Sequence, residues 1–203
     1  SGAHRDLPSF PTRRSSDLRV GDDGASAGYV RKKHETCESV GMVSYHIQVE
    51  ADDPVEALDE AVAAFNGDPA VHAYIIQHPV ADGFDFNSAL SAMDPAKDAD
   101  GLHPTNLGKL VLQEEGPVPC TPAGIQALFV HYDIDVSGKH VVVIGRGPTL
   151  GRPLSLLLTT KAPGANAAVT VVHSAVPDLA DLTREGSEER RVGKEGRSRW
   201  SPD

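Results

Sequence analysis

The segment His140-Val-Val-Val-Ile-Gly-Arg-Gly-Pro-Thr-Leu-Gly-Arg-Pro153 constrains the fold of this chain more than any other. An apolar, β-branched run passes straight into glycines, and a second apolar run, Leu154 to Leu158, follows at once. That order reads as strand, tight glycine turn and helix. In a parallel α/β layer such a turn aims backbone N–H groups and a helix N-terminus at an anionic ligand, most often the pyrophosphate of a dinucleotide. The spacing of Gly145, Gly147 and Gly151 is one residue longer than the common fingerprint, so the motif alone is a moderate signal.

The rest of the chain alternates in the same manner. Ser26 is a candidate cap for a helix running to about Val40, closed by Gly41. Val43 to Val49 alternates as a strand does. Asp53, Pro54 and Glu56 have the cap, first-turn proline and capping-box acid of a helix covering Leu58 to Phe65. A strand from Val71 to Ile76 ends at Gln77, and a short helix follows from about Phe86 to Met93. Asp94-Pro-Ala-Lys-Asp-Ala-Asp-Gly101 has turn composition, and residues 102–120 read as a structured loop. A helix from Thr121 to about Tyr132 precedes the glycine-turn strand, and a last strand spans Ala168 to Val172. Strands alternating with helices predict parallel α/β layers.

At 203 residues, one or two domains with substantial cores are possible. The formal charge of -10 argues against a nucleic-acid surface, which needs clustered Lys and Arg. No apolar run approaches the roughly 20 residues of a membrane helix, and no secretory leader is visible. Cys37 and Cys120 make neither a disulfide framework nor a metal site, and no metal is expected. A cytoplasmic protein fits these features. The ends differ from the middle: Phe10 to Leu18 and Glu188 to Pro202 read like translated adapter DNA. Residues 1–18 and 184–203 are therefore expected to be foreign, and without them the chain is more acidic still.

Several residues are candidates for chemistry. Lys33 shares a helix face with Tyr29, four residues earlier, which offers an aromatic platform. The ordinary alternative for a helical lysine is a solvated charge, and spacing alone favours it. Gln77 sits at a strand end, where open α/β sheets place ligands, or else simply terminates the strand. Asp98, Asp100 and His103 lie in a turn-rich stretch whose default is solvated. The final strand ends in His173-Ser174, with no acid of the kind that holds an NAD ribose, while Arg146 suits a phosphate. That combination favours NADP, the alternative being an exposed arginine and no nucleotide.

Taken in order, Val20-Gly-Asp-Asp23, Tyr29-Val-Arg-Lys-Lys33, Ile75-Ile-Gln-His-Pro79, Asp94 to Gly101 with His103-Pro104, Pro119-Cys-Thr-Pro-Ala-Gly124, Val142 to Arg146 with Gly151-Arg-Pro153, and Val169 to Ser174 resemble the bifunctional methylenetetrahydrofolate dehydrogenase/cyclohydrolase family. The resemblance covers essentially all of residues 19–174. It implies a two-domain α/β fold: an N-terminal catalytic domain (19–120) and a truncated Rossmann-type NADP-binding domain (121–183).

It also implies roles. Tyr29 would stack on the folate, and Lys33 would act as general acid/base. Gln77 would tune that lysine, with Ile76 and His78 beside it in the substrate site. Asp100 would anchor the pterin. Gly145, Arg146, Gly147, Gly151, His173 and Ser174 would hold NADP. The implied activity is oxidation of methylenetetrahydrofolate and hydrolysis of the methenyl product, in one-carbon metabolism and purine supply, by a homodimer. The chain departs from the family at His78, usually leucine, and Gly147, usually serine. It reads as a fragment lacking the family's opening helix and strand and everything after His173-Ser174. Exposed apolar edges, poor solubility and weak NADP binding are expected of it. A nucleotide-binding module without catalysis, or a dehydrogenase for another small substrate, are the competing readings.

Overall fold

The computed structural model describes residues 14–21 and 24–186. The adapter-like stretch after residue 186, the first part of the one before residue 14, and Asp22 and Asp23 of the expected turn lie outside the described residues. Two compact units divide between Asn106 and Leu107, earlier than the expected boundary after Cys120.

The first unit is built on a three-stranded parallel sheet of order β2-β1-β3, from β1 (Arg14–Val20), β2 (Val43–Val49) and β3 (Ala73–Ile76). A strand was not expected before Gly21. The backbone pairs there nonetheless, with Leu18 opposite both Ile47 and Ile76, because a central strand satisfies its ladder bonds on both sides. Its side chains fit less well than its backbone. Ser16 and Asp17 are buried, and the Ser16 hydroxyl has no hydrogen-bond partner.

Helix α1 (Gly24–Ser39) starts before Ser26, which places that residue in its first turn. It ends as expected: Gly41 takes φ +74°, and the Met42 N–H bonds back to the Cys37 carbonyl. Helix α2 (Glu56–Gly67) begins at Glu56, without a side-chain cap. Asp53 instead accepts from the Glu50 N–H, closing the preceding turn. Leu58, Ala61, Val62 and Phe65 form its buried stripe and pack with Leu18, Val20, Val49, Tyr74 and Ile76. Helix α3 (Phe86–Ala92) is capped by Asp85, which accepts from the N–H groups of Asn87 and Ser88.

The stretch expected to be a loop holds helix α4 (Pro104–Leu112). Its start was hard to read because its cap is His103: Nδ1 accepts from the Thr105 N–H at 3.0 Å. Pro104 then occupies the first turn, where a missing N–H costs nothing.

The second unit contains α5 (Cys120–His131), β4 (His140–Ile144), α6 (Gly151–Leu158), β5 (Ala168–Val172) and α7 (Leu179–Arg184). β4 and β5 pair in parallel, Val142 opposite Thr170, the crossover being α6. Ile125, Phe129, Val136, Val143, Leu154 and Leu158 form the core. Among the described residues this sheet has two strands, and Ile144 is 64% exposed, as an edge strand without a further neighbour would be. No helix among the described residues is long and apolar enough to cross a membrane.

Candidate functional site

In the first unit, α1 and the end of β3 bring together two residues 44 apart in sequence. Lys33 Nζ donates to Gln77 Oε1 at 2.9 Å. Gln77 Nε2 donates to the His78 carbonyl at 2.9 Å, so the amide orientation is chemically defined, oxygen towards the lysine. Solvated-charge and strand-terminator alternatives therefore give way to a specific pair. A cavity of about 300 Å³ beside it is lined by Lys33, Thr36, Ser44 and Ile75. Tyr29 lies on α1, one turn before Lys33, and its side chain is outside the described set.

His78 is exposed and packs edge-on against Phe86, with ring centroids 5.0 Å apart. Ile76 is corrected: at 4% exposure its side chain belongs to the core cluster, because alternation along β3 turns it inward while Ile75 faces the cavity. It supports the strand end and offers no side-chain surface to a ligand.

Asp100 is half-buried in the loop between α3 and α4. Its neighbour Asp98 is not the solvated turn residue that composition suggested. It is 3% exposed and accepts from the N–H groups of Asp100, Gly101 and His103 and from Asn106 Nδ2. His103 is likewise committed, since Nε2 lies 3.3 Å from the Ser91 carbonyl and Nδ1 accepts at the helix start. As a carbonyl can only accept, Nε2 carries the proton and His103 is no free base here. Lys97 donates to the carbonyls of Phe65, Asn66 and Asp68, each at 2.8 Å, capping the α2 C-terminus with a cation. Tyr74 donates to Asn66 Oδ1, and burial, followed by the nearby Asp94 and Asp98 carboxylates, pushes its hydroxyl pKa up.

A third cluster had no signal in the sequence, because it joins three elements. His34 Nε2 and His46 Nδ1 each lie 2.5 Å from a different oxygen of Asp17. The nearly buried Asp17 carboxylate is thus held between two partly buried imidazoles.

In the second unit the glycine turn is shaped as its spacing suggested. Gly145 takes φ +119°, a conformation that side chains disfavour. A Cβ on Gly151 would sit 2.1 Å from the Gly145 carbonyl oxygen, so helix and strand end approach as only glycine permits. A Cβ on Gly147 meets nothing within 4 Å, so this position is free of that constraint. The C-terminal ends of β4 and β5 present Arg146 and His173 together, with Nη1 3.1 Å from Nε2. A guanidinium can only donate, so this contact uses a lone pair of the imidazole. Ser174 is exposed beside it. No acidic side chain occupies the β5 end, and the cradle fits a phosphorylated dinucleotide.

These features define a two-unit α/β protein of the dinucleotide-binding class, with a lysine–amide pair in its first unit. Two family models match: the tetrahydrofolate dehydrogenase/cyclohydrolase catalytic domain over residues 16–100, and the NAD(P)-binding domain of the same family over residues 119–187. The chain belongs to the tetrahydrofolate dehydrogenase/cyclohydrolase family. It is 66% identical over 167 residues to the bifunctional protein FolD of Syntrophotalea carbinolica, an alignment covering 82% of this chain and 58% of that protein. The FolD methylenetetrahydrofolate dehydrogenase/cyclohydrolase of Campylobacter jejuni superposes with a TM-score of 0.80 at 34% identity, over 85% of this chain and 60% of the other. The Trypanosoma brucei enzyme, solved with NADP and an inhibitor, gives 0.79 at 36% identity, over 86% and 59%. The chain thus spans less than two thirds of the length of the relatives it matches.

Proposed function

We propose that the protein to which this chain belongs oxidises 5,10-methylenetetrahydrofolate with NADP and hydrolyses the methenyl product to 10-formyltetrahydrofolate. The observation that carries the proposal is the 2.9 Å bond from Lys33 Nζ to Gln77 Oε1, in a chain of this family. Bound NADP would accept the hydride, held by the turn of Gly145, Gly147 and Gly151 and by Arg146, His173 and Ser174.

The protein's own part is proton management. An amide oxygen accepts from a lysine whether that lysine is charged or neutral. Gln77 therefore keeps Nζ in one place through a change of protonation, while adding no charge of its own. Neutral Lys33 avoids opposing the cationic methenyl product, and its lone pair takes a proton from attacking water. Asp100 anchors the pterin, and Tyr29 and His78 bound the folate. Ile76 acts only through the strand end. A cytoplasmic homodimer is the assembly this reading implies, by likeness to the family.

The test uses the full-length enzyme. Lys33→Met should lose cyclohydrolase activity by at least about 100-fold, the scale of one general acid/base group. Full cyclohydrolase turnover in that variant would refute the proposal.

A further inference from the structure

We propose that Asp98 is a positioning residue for Asp100, fixing the carboxylate that anchors the pterin without touching the substrate itself. The proposal rests on the folate reading of Asp100.

The Asp98 carboxylate fills its capacity. One oxygen accepts from the N–H groups of Asp100 at 3.2 Å and Gly101 at 2.9 Å. The other accepts from the His103 N–H and from Asn106 Nδ2, both at 2.8 Å. Four acceptances match the four lone-pair sites of an ionised carboxylate. The chain turns here through Gly101 at φ +68°, and the Asp98 carboxylate receives the N–H groups of residues 100, 101 and 103. An acceptor with two oxygens is suited to collecting three backbone donors of the turn, at residues 100, 101 and 103, and a side-chain amide.

The anchor is tied down on two sides. Asn106, 1% exposed, also donates to the Pro95 carbonyl at 2.9 Å, linking the carboxylate to the start of the same motif. On the other side the Tyr74 N–H donates to the Lys97 carbonyl and the Ala99 N–H to the Tyr74 carbonyl. Residue 98 is thereby bridged to β3. β3 is also the strand whose end carries Gln77. Asp98 thus references Asp100 to the same strand as the Lys33–Gln77 pair, and all four residues belong to one compact unit.

The test is a double-mutant cycle in the full-length enzyme, with (6S)-tetrahydrofolate as the probe in calorimetric titration. Asp98→Asn keeps the size but turns an NH2 group towards two donors, and should weaken binding at least tenfold. In an Asp100→Ala background the same change should alter affinity less than twofold. Equal losses in both backgrounds would mean general damage and would overturn the proposal. Native affinity in Asp100→Ala alone would instead overturn the folate reading of Asp100.

A second readout needs no ligand. Amide exchange at Asp100, Gly101 and His103 should quicken at least tenfold in Asp98→Asn, while Val62 in α2 exchanges as before. Unchanged exchange at the three amides would refute the anchor whatever tetrahydrofolate does. Asn106→Ala, which leaves the backbone donors intact, serves if Asp98→Asn does not fold, and should quicken the same amides about threefold.

Discussion

Replacing Gly151 by alanine separates tertiary packing from helix propensity, because the two predict opposite signs. By propensity alone, alanine in a helix is favoured over glycine by up to about 1 kcal/mol. At Gly151 the added Cβ would stand 2.1 Å from the Gly145 carbonyl oxygen and 2.6 Å from its carbon. Contacts under 3.0 Å are essentially never made, so α6 or the turn must move by about 0.9 Å. Neither moves easily, since α6 buries Leu154, Leu157 and Leu158 and the turn is tied by the Gly145 N–H to the Val172 carbonyl at 2.7 Å. Overpacking against backbone costs about 1–3 kcal/mol, and a rigid carbonyl on one side puts this case near the top of that range.

The net expectation for Gly151→Ala is a loss of about 2 kcal/mol, roughly 1 M in urea midpoint for a slope near 2 kcal/mol/M. Gly124 in α5 is the internal control, since a Cβ there meets nothing within 4 Å. Gly124→Ala should gain about 0.5–1 kcal/mol by propensity. Urea unfolding followed by circular dichroism, on both variants and the parent, decides the matter. A Gly151→Ala protein as stable as Gly124→Ala would refute the close-approach argument, and with it the case for a dinucleotide cradle.

Two further outcomes follow from buried polar groups in the first unit. Burial raises the Tyr74 hydroxyl above its ordinary value near 10. The folded-state value therefore exceeds the unfolded one, so this contribution is complete below about pH 10 and lost as pH rises towards the folded value. Tyr74→Phe should cost about 1 kcal/mol at pH 8, for the lost bond to Asn66, yet unfold less steeply between pH 10 and 11, as read by denaturant titration. The same alkaline slope in both proteins would count against it. Ser16→Ala should raise stability by about 1 kcal/mol, since its hydroxyl is buried without a partner in the central strand. A thermal melt at unchanged or lower temperature would contradict that.

Much of the fold was legible because local signals agreed with it. β2 and β5 have the bounds that their patterning predicts, and Gly41 marks a helix end by ordinary capping chemistry. The glycine turn could be read from spacing because backbone conformation and close approach constrain single residues. α4 escaped notice because a histidine caps it and Thr105, Asn106 and Gly108 are poor helix formers. β1 escaped notice because Arg14 to Leu18 has no strand-like alternation, and pairing on both sides supplies what the side chains do not.

The sequence by itself determined the alternation of strands and helices, the glycine turn and the order of motifs that mark the family. These depend on neighbours within a few residues, or on residue types that tolerate no substitute. Only the tertiary structure decided that Lys33 is bonded to Gln77, that Ile76 is core and that Asp98 is an anchor. It also brought Asp17 between His34 and His46. Hydrogen bonds and burial depend on distances between segments far apart in the chain, and no local pattern encodes those distances.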